Sequence, residues 1–389
     1  MPADGPAAPQ SRWTWRERVA QVASFSGGLG LLRRISRTHE LRSVPGHRLP
    51  SIRRVSQPKY LILCYHRVGT EGIPYYCTLP VGQFETQMRY LRNHCRVLSL
   101  SQLVDELNHP NASASHAVAV TFDDGYSDLY HHALPILCKY EIPATVYLTA
   151  DCIETGEVAW YDRIFLALQV ACGDYFEVPI DNGLRLPLGS VERRIESAAR
   201  IVSILRKTPV AQRRNICALL EQQIKLPAEK LQGRMLSWQQ VREMRSAGVF
   251  FGSHTLSHPV LSQLSLEEAE RELGSSKTIL EKNLHEPILD FAFPFGRPED
   301  CGPFAYEAAA RCGYRSAVTT TWGYNTAGAN MHTLRRVQLG EERTEASFAL
   351  QLHQAFFRAS DDVAASVSVG SLPNTTGEAP TRDGVLAQR

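Results

Sequence analysis

The chain has 389 residues, 43% of them hydrophobic, which is enough to bury a substantial core in one large or two ordinary domains. Its formal net charge of +2 is too near zero to make nucleic acid or an acidic polymer an obligatory partner. No run reaches the roughly 20 apolar residues of a membrane-spanning helix, and the composition has no fibrous or collagen-like bias.

The charge is unevenly spread. Residues 1–59 hold eleven Arg or Lys against Asp4, Glu17 and Glu40, a basic N-terminal segment of net charge about plus eight, so the remainder is acidic. Met1–Gln10, rich in Pro and Ala, is expected to be disordered, and Trp13–Leu32 to form a short helix. Arg33–Arg54 reads as a solvated basic linker, with peripheral contact to an anionic membrane surface or an acidic partner as the alternative. Arg12, Arg16, Glu17 and Arg18 interrupt any secretory signal. The nine cysteines include no Cys-x-x-Cys pair, so free thiols in a reducing, cytoplasmic compartment are the default expectation.

From Tyr60 onward strand-like and helix-like segments alternate, the pattern of parallel strands joined by covering helices. Strands are expected at Tyr60–Tyr65, Val118–Phe122, Thr145–Leu148, Val249–Gly252, Phe291–Phe293, Ala317–Thr320 and Leu334–Val337. Helical periodicity marks Phe84–Arg92, Leu129–Tyr140, Trp238–Ala247, Leu266–Leu284 and Ala305–Cys312, with Ser237 and Ser265 as N-caps and Glu268 completing a capping box. Between about Glu154 and Leu236 the alternation breaks. Helix-prone charged segments at Val191–Arg206 and Ala211–Lys225 make this stretch a helical insertion. The catalytic unit is expected to span 60–357, followed by an unstructured tail over 358–389.

Chemistry concentrates at the expected strand ends. The apolar run Ala117–Phe122 stops at Asp123-Asp124-Gly125, and two adjacent carboxylates there raise one another's pKa unless a cation or hydrogen bonds compensate. A simple Asp-capped turn would leave the same trace. His254 and His258, four apart after Val249–Gly252, would share one face of a helical turn and could approach one ion, although exposed helical pairs often bind nothing. Together one carboxylate and two imidazoles make a facial set that leaves positions open for water and substrate. Pro294-Phe295-Gly296 terminates another strand, either as a plain turn or as one presenting an N–H and a ring to substrate. His66 follows the first strand and Arg336 lies near the last; in a parallel barrel such ends converge on one mouth.

These residues resemble the polysaccharide deacetylase family, also called the NodB-homology domain or carbohydrate esterase family 4. Thr121-Phe-Asp-Asp-Gly-Tyr126 resembles its first motif, His254-Thr-Leu-Ser-His258 its second, and Pro294-Phe-Gly296 its third. The resemblance covers about Tyr60–Val337. It implies a distorted (β/α) barrel of about seven parallel strands and a hydrolase that removes acetyl groups from N-acetylated sugars of a polysaccharide or lipid-linked precursor. It also implies Asp123 as general base, with Asp124, His254 and His258 holding a divalent metal, zinc first and cobalt or nickel as alternatives.

Two positions depart from the family pattern. Ala292 stands where the third motif usually has Arg, and Arg335-Arg336 where a later motif has Leu-x-His. Both resemble a branch with permuted motifs, in which the Tyr65-His66 pair would supply the general acid and Arg336 would orient Asp123. The competing reading is an inactive carbohydrate-binding barrel. A glycosidase needs carboxylates roughly 5 to 9.5 Å apart, which chain neighbours do not provide, and an adaptor built on the basic N-terminus should lose binding with salt.

Overall fold

The structure, a computed structural model, describes residues 57–69, 78–109, 115–178, 180, 183–339 and 344–357. The expected helix Trp13–Leu32, the basic stretch Arg33–Arg54 and the tail 358–389 lie outside these residues. In chain order the strands are β1 (Tyr60–Tyr65), β2 (Arg67–Val68), β3 (Thr78–Leu79), β4 (Ala117–Phe122), β5 (Ala144–Leu148), β6 (Tyr175–Val178), β7 (Leu184–Pro187), β8 (Phe250–Ser253), β9 (Asp290–Ala292), β10 (Ser316–Trp322) and β11 (Leu334–Gln338). The helices are α1 (Val81–His94), α2 (Leu100–Asn108), α3 (Leu134–Tyr140), α4 (Ala150–Thr155), α5 (Trp160–Val170), α6 (Val191–Leu205), α7 (Val210–Ile224), α8 (Trp238–Ser246), α9 (Leu266–Leu284), α10 (Pro298–Arg311) and α11 (Glu345–Phe357).

Every residue of β1, β4 and β5 is buried, as expected of strands covered on both faces. Seven parallel strands close a barrel in the order β1-β11-β10-β9-β8-β5-β4. β1 and β4 pair along their whole length, from Tyr60 opposite Ala117 to Tyr65 opposite Phe122. Leu63 opposite Val337 completes the ring. All seven expected strands are present, each within a residue or two of its expected bounds. Parallel order brings their carboxyl ends to one rim, where Asp123, His254 and Phe293 follow β4, β8 and β9.

The outer helices form for readable reasons. Ser237 and Ser265 cap α8 and α9, each in a reciprocal capping box with Gln240 and Glu268. On α9 the buried positions Ala269, Leu273, Ser276 and Leu280 follow the helical period, so one stripe faces the barrel.

Other elements differ from expectation. Leu129–Tyr140 is not one α-helix: Pro135 has no amide to continue the ladder, the Leu134 N–H reaches back to Leu129 O, and Leu129–Ala133 is a π-turn. α10 begins at Pro298 rather than Ala305, because a break at Gly302 and Pro303 hides its first turn from periodicity. The insertion also contains α5 and an antiparallel hairpin, β6 with β7, besides the expected helices α6 and α7.

Candidate active site

The turn after β4 sends two neighbouring carboxylates in different directions. Asp124 and Gly125 both take positive φ, 74° and 89°, and a Cβ on Gly125 would meet Leu148 Cδ2 at 2.7 Å, so the turn admits glycine there. Asp124 consequently faces the segment after β8. Its Oδ1 lies 3.5 Å from His254 Nε2 and 3.4 Å from His258 Nε2, and all three side chains are buried.

The two histidines meet without a helix. Residues 254–258 form a loop in which Thr255 and His258 have positive φ, 68° and 54°, correcting the expectation of a shared helical face. The loop is held from within by Thr255 Oγ1, which accepts from the His258 amide at 3.0 Å. From α9, Glu272 accepts from the amides of Leu256 and Ser257 at 3.1 and 2.9 Å and from Ser257 Oγ at 2.7 Å. His254 Nδ1 sits 2.8 Å from the Ala292 carbonyl, which can only accept, so Nδ1 carries the proton and the Nε2 lone pair faces Asp124.

The donor set suits a cation. The ligand atoms of Asp124, His254 and His258 lie within 4.8 Å of one another. Both Asp124 oxygens are buried, and the Tyr161 hydroxyl is the hydrogen-bond donor that acts on the carboxylate among the described residues. Burial, with Asp123 and Asp162 nearby, raises the Asp124 carboxyl well above the usual carboxylate range. Burial lowers both imidazoles, His258 strongly with His254 adding to the effect, so both are neutral as ligands must be.

Beside this triad lies a second set of titratable groups. Arg336, 0% exposed, grips Asp123 with both fork nitrogens, Nη1 to Oδ1 and Nη2 to Oδ2 at 2.7 Å each, while its Nε donates to Thr319 O at 2.8 Å. Burial alone would raise Asp123, but Arg336 first, then His254 and His66, hold it well below the usual range. The Cys64 thiol donates to Asp123 Oδ2 at 3.7 Å, and His66 Nε2 stands 4.0 Å from the same oxygen. His66, whose side chain is 19% exposed, has its pKa pushed down to about 4, burial outweighing the attraction of Asp123.

Phe295, with φ 59°, and Gly296 turn back toward β10, where Thr320 N donates to Gly296 O at 2.9 Å and Thr320 Oγ1 to Phe295 O at 2.7 Å. The Phe295 ring stands edge-on to His258, with centroids 4.9 Å apart. Its amide donates to no backbone carbonyl among the described residues.

The insertion, whose sequence pattern points to no part in this site, forms one wall of it. From α5, the Tyr161 ring packs 4.9 Å from His258 and Trp160 Nε1 donates to His258 O at 3.2 Å. The Arg206 guanidinium, at the end of α6, lies 4.3 Å over the Phe295 ring and pairs with Asp300 at 2.5 and 2.6 Å. Glu272 was likewise unforeseen. Periodicity makes α9 a helix but cannot tell which exposed acid will meet a loop from another strand.

Comparison with known proteins agrees with this fold. The family profile described as Polysaccharide deacetylase matches residues 111–317, more than half of the chain. YxkH of Bacillus subtilis (strain 168), named as a polysaccharide deacetylase, is 21% identical over 291 residues, covering 75% of each chain. The same fold occurs in the Streptococcus pyogenes deacetylase PplD, solved in complex with acetate (TM-score 0.53, 21% identity, 77% of this chain and 99% of that one). It occurs also in IcaB from Ammonifex degensii (TM-score 0.52, 19% identity, 76% of this chain and 97% of that one). With a closed barrel of seven parallel strands and a profile match over its central part, the chain belongs to the polysaccharide deacetylase family of carbohydrate-acting hydrolases.

Proposed function

We propose that the protein is a metal-dependent deacetylase that hydrolyses the N-acetyl group of a sugar in a polysaccharide or its lipid-linked precursor. The observation that carries this reading is the adjacency of two differently treated carboxylates: Asp124, with no cationic side chain clamping it, beside two neutral imidazoles, and Asp123 clamped by Arg336. Asp124, His254 and His258 would hold the metal. Mixed imidazole and carboxylate donors suit zinc, with cobalt or nickel as alternatives. Such a cation supplies Lewis acidity, polarising the acetyl carbonyl and acidifying water.

The remaining steps fall to the chain. Asp123, ionised and oriented by Arg336, takes a proton from the water as it adds to the carbonyl carbon. The Phe295 amide donates to the oxygen on which charge develops, with Pro294 and Gly296 fixing its direction. His66 then delivers a proton to the sugar nitrogen as the C–N bond breaks, leaving acetate and an amine. Burial pushes the His66 pKa down to about 4, and the proton it delivers is the one Asp123 has taken from the water, passed across the 4.0 Å between Asp123 Oδ2 and His66 Nε2.

Acetate release from N-acetylglucosamine oligomers, with and without chelator and after readdition of zinc, cobalt or nickel, tests the reading. The expected result is chelator-sensitive release that D123N abolishes while keeping its metal. Sugar binding without acetate release would instead favour the inactive carbohydrate-binding barrel.

A further inference from the structure

Three arginines are buried among the described residues, and two have obvious partners: Arg67 meets Asp128 at 2.7 Å and Arg336 meets Asp123. The third, Arg213, is 4% exposed, and among the described residues it forms no ion pair and its Nη1 has no hydrogen-bond partner. It occupies a buried position of α7 with Ile216, Cys217 and Leu220, where the helical period would ordinarily place an apolar side chain. An unpaired buried guanidinium is costly, and a fold that keeps one has a use for it or leaves it to be neutralised by something it binds.

Its surroundings point to the second. The guanidinium carbon lies 4.7 Å from the centre of the Trp160 ring, a cation–π contact that anchors it without neutralising its charge. Trp160 in turn donates to the His258 carbonyl and packs 6.2 Å from the Phe295 ring. Arg213 therefore belongs to the same wall as the candidate metal ligands and the turn that would meet the acetyl group. The nearby Glu272 is already engaged by the amides of the His254–His258 loop, and Arg214 adds further positive charge.

We propose that Arg213, held against Trp160, is an oxyanion subsite, so that the acetylated sugar this enzyme prefers carries a phosphoryl or carboxylate group next to the reacting amide. This deepens the deacetylase reading and rests on it. The phosphoryl source would be a glycosyl phosphate, free or lipid-linked, and the carboxylate source a uronate-containing polymer.

The test compares kcat/KM of the metal-loaded full chain on di-N-acetylchitobiose, N-acetylglucosamine 1-phosphate and an N-acetylated disaccharide containing a uronate. Wild type should prefer one of the anionic substrates, and R213Q should lower the anionic-to-neutral ratio by about 10- to 100-fold, with R213K between them. Equal use of neutral and anionic sugars by wild type, or an unchanged ratio in R213Q, overturns the proposal. Should R213Q fail to fold, calorimetric binding of N-acetylglucosamine 1-phosphate to wild type, against N-acetylglucosamine, decides: no preference for the phosphate overturns the subsite. A preference with no deacetylation of any substrate supports the subsite while sinking the deacetylase reading.

Discussion

Replacing Arg336 by Met removes the charge while keeping much of the side chain's length and apolar packing. Asp123 would then be a buried carboxylate without its main cation, and the Thr319 carbonyl would lose its donor. Breaking a buried pair from one side costs about 3–5 kcal/mol, because the partner left behind stays desolvated. The sign of the pH dependence should also reverse. In the parent, Asp123 is depressed in the folded state, so its contribution is present above its unfolded pKa of about 3.9 and lost as pH falls through the folded value. In R336M burial, the largest influence on Asp123, is no longer outweighed. The folded pKa rises above the unfolded one, and stability falls as pH increases through that window. Urea unfolding of the parent, R336M, D123N and the double variant, all in chelator, measures this without metal. The double variant should cost well under the sum of the singles, a coupling of about 2 kcal/mol or more, and the rate of metal-loaded R336M should gain an acid limb that the parent lacks. Loss of less than about 1 kcal/mol in R336M, with the cycle additive within about 0.5 kcal/mol, would refute the argument.

Three further outcomes are expected. H66Q should lower the deacetylation rate by about 100- to 10,000-fold with metal content unchanged, and a parent-like rate would remove His66 from the mechanism. In chelated protein, the lowered pKa of His66 makes stability fall as pH drops from about 6.5 toward 4, where the unfolded chain binds protons the folded one refuses. The fall attributable to His66 is on the order of 2–3 kcal/mol, allowing for its partial exposure, and melting curves that decline equally steeply in H66Q would contradict it. E272A releases the two amides and the hydroxyl that fix the His254–His258 loop and should weaken zinc affinity by about 10- to 100-fold; equilibrium dialysis giving the parent value would show the loop holds itself.

The barrel was legible because fully buried parallel strands leave unbroken apolar runs, and Ala117–Phe122 ending in two aspartates is such a run. Geometry within the loops was not. His254 and His258 have a helical spacing, but left-handed residues and Glu272 bring them together by another route. Between neighbours Arg335 and Arg336, strand alternation decides which one points inward, and only Arg336 is buried. The wall built by Trp160, Tyr161, Arg206 and Arg213 depends on how the insertion folds back on the rim, and no local pattern encodes contacts between residues so far apart in sequence.

The strands that seal the cylinder, β1 and β11, stand at opposite ends of its chain order yet lie side by side, with His66 just beyond one and Arg336 on the other. During synthesis Asp124, His254 and His258, the candidate ligands, emerge well before Arg336. The partner that keeps Asp123 charged arrives only with the last strand. Closure of the cylinder therefore also brings Arg336 to Asp123, and on the proposed mechanism a chain lacking β11 would keep the candidate ligands without an oriented base.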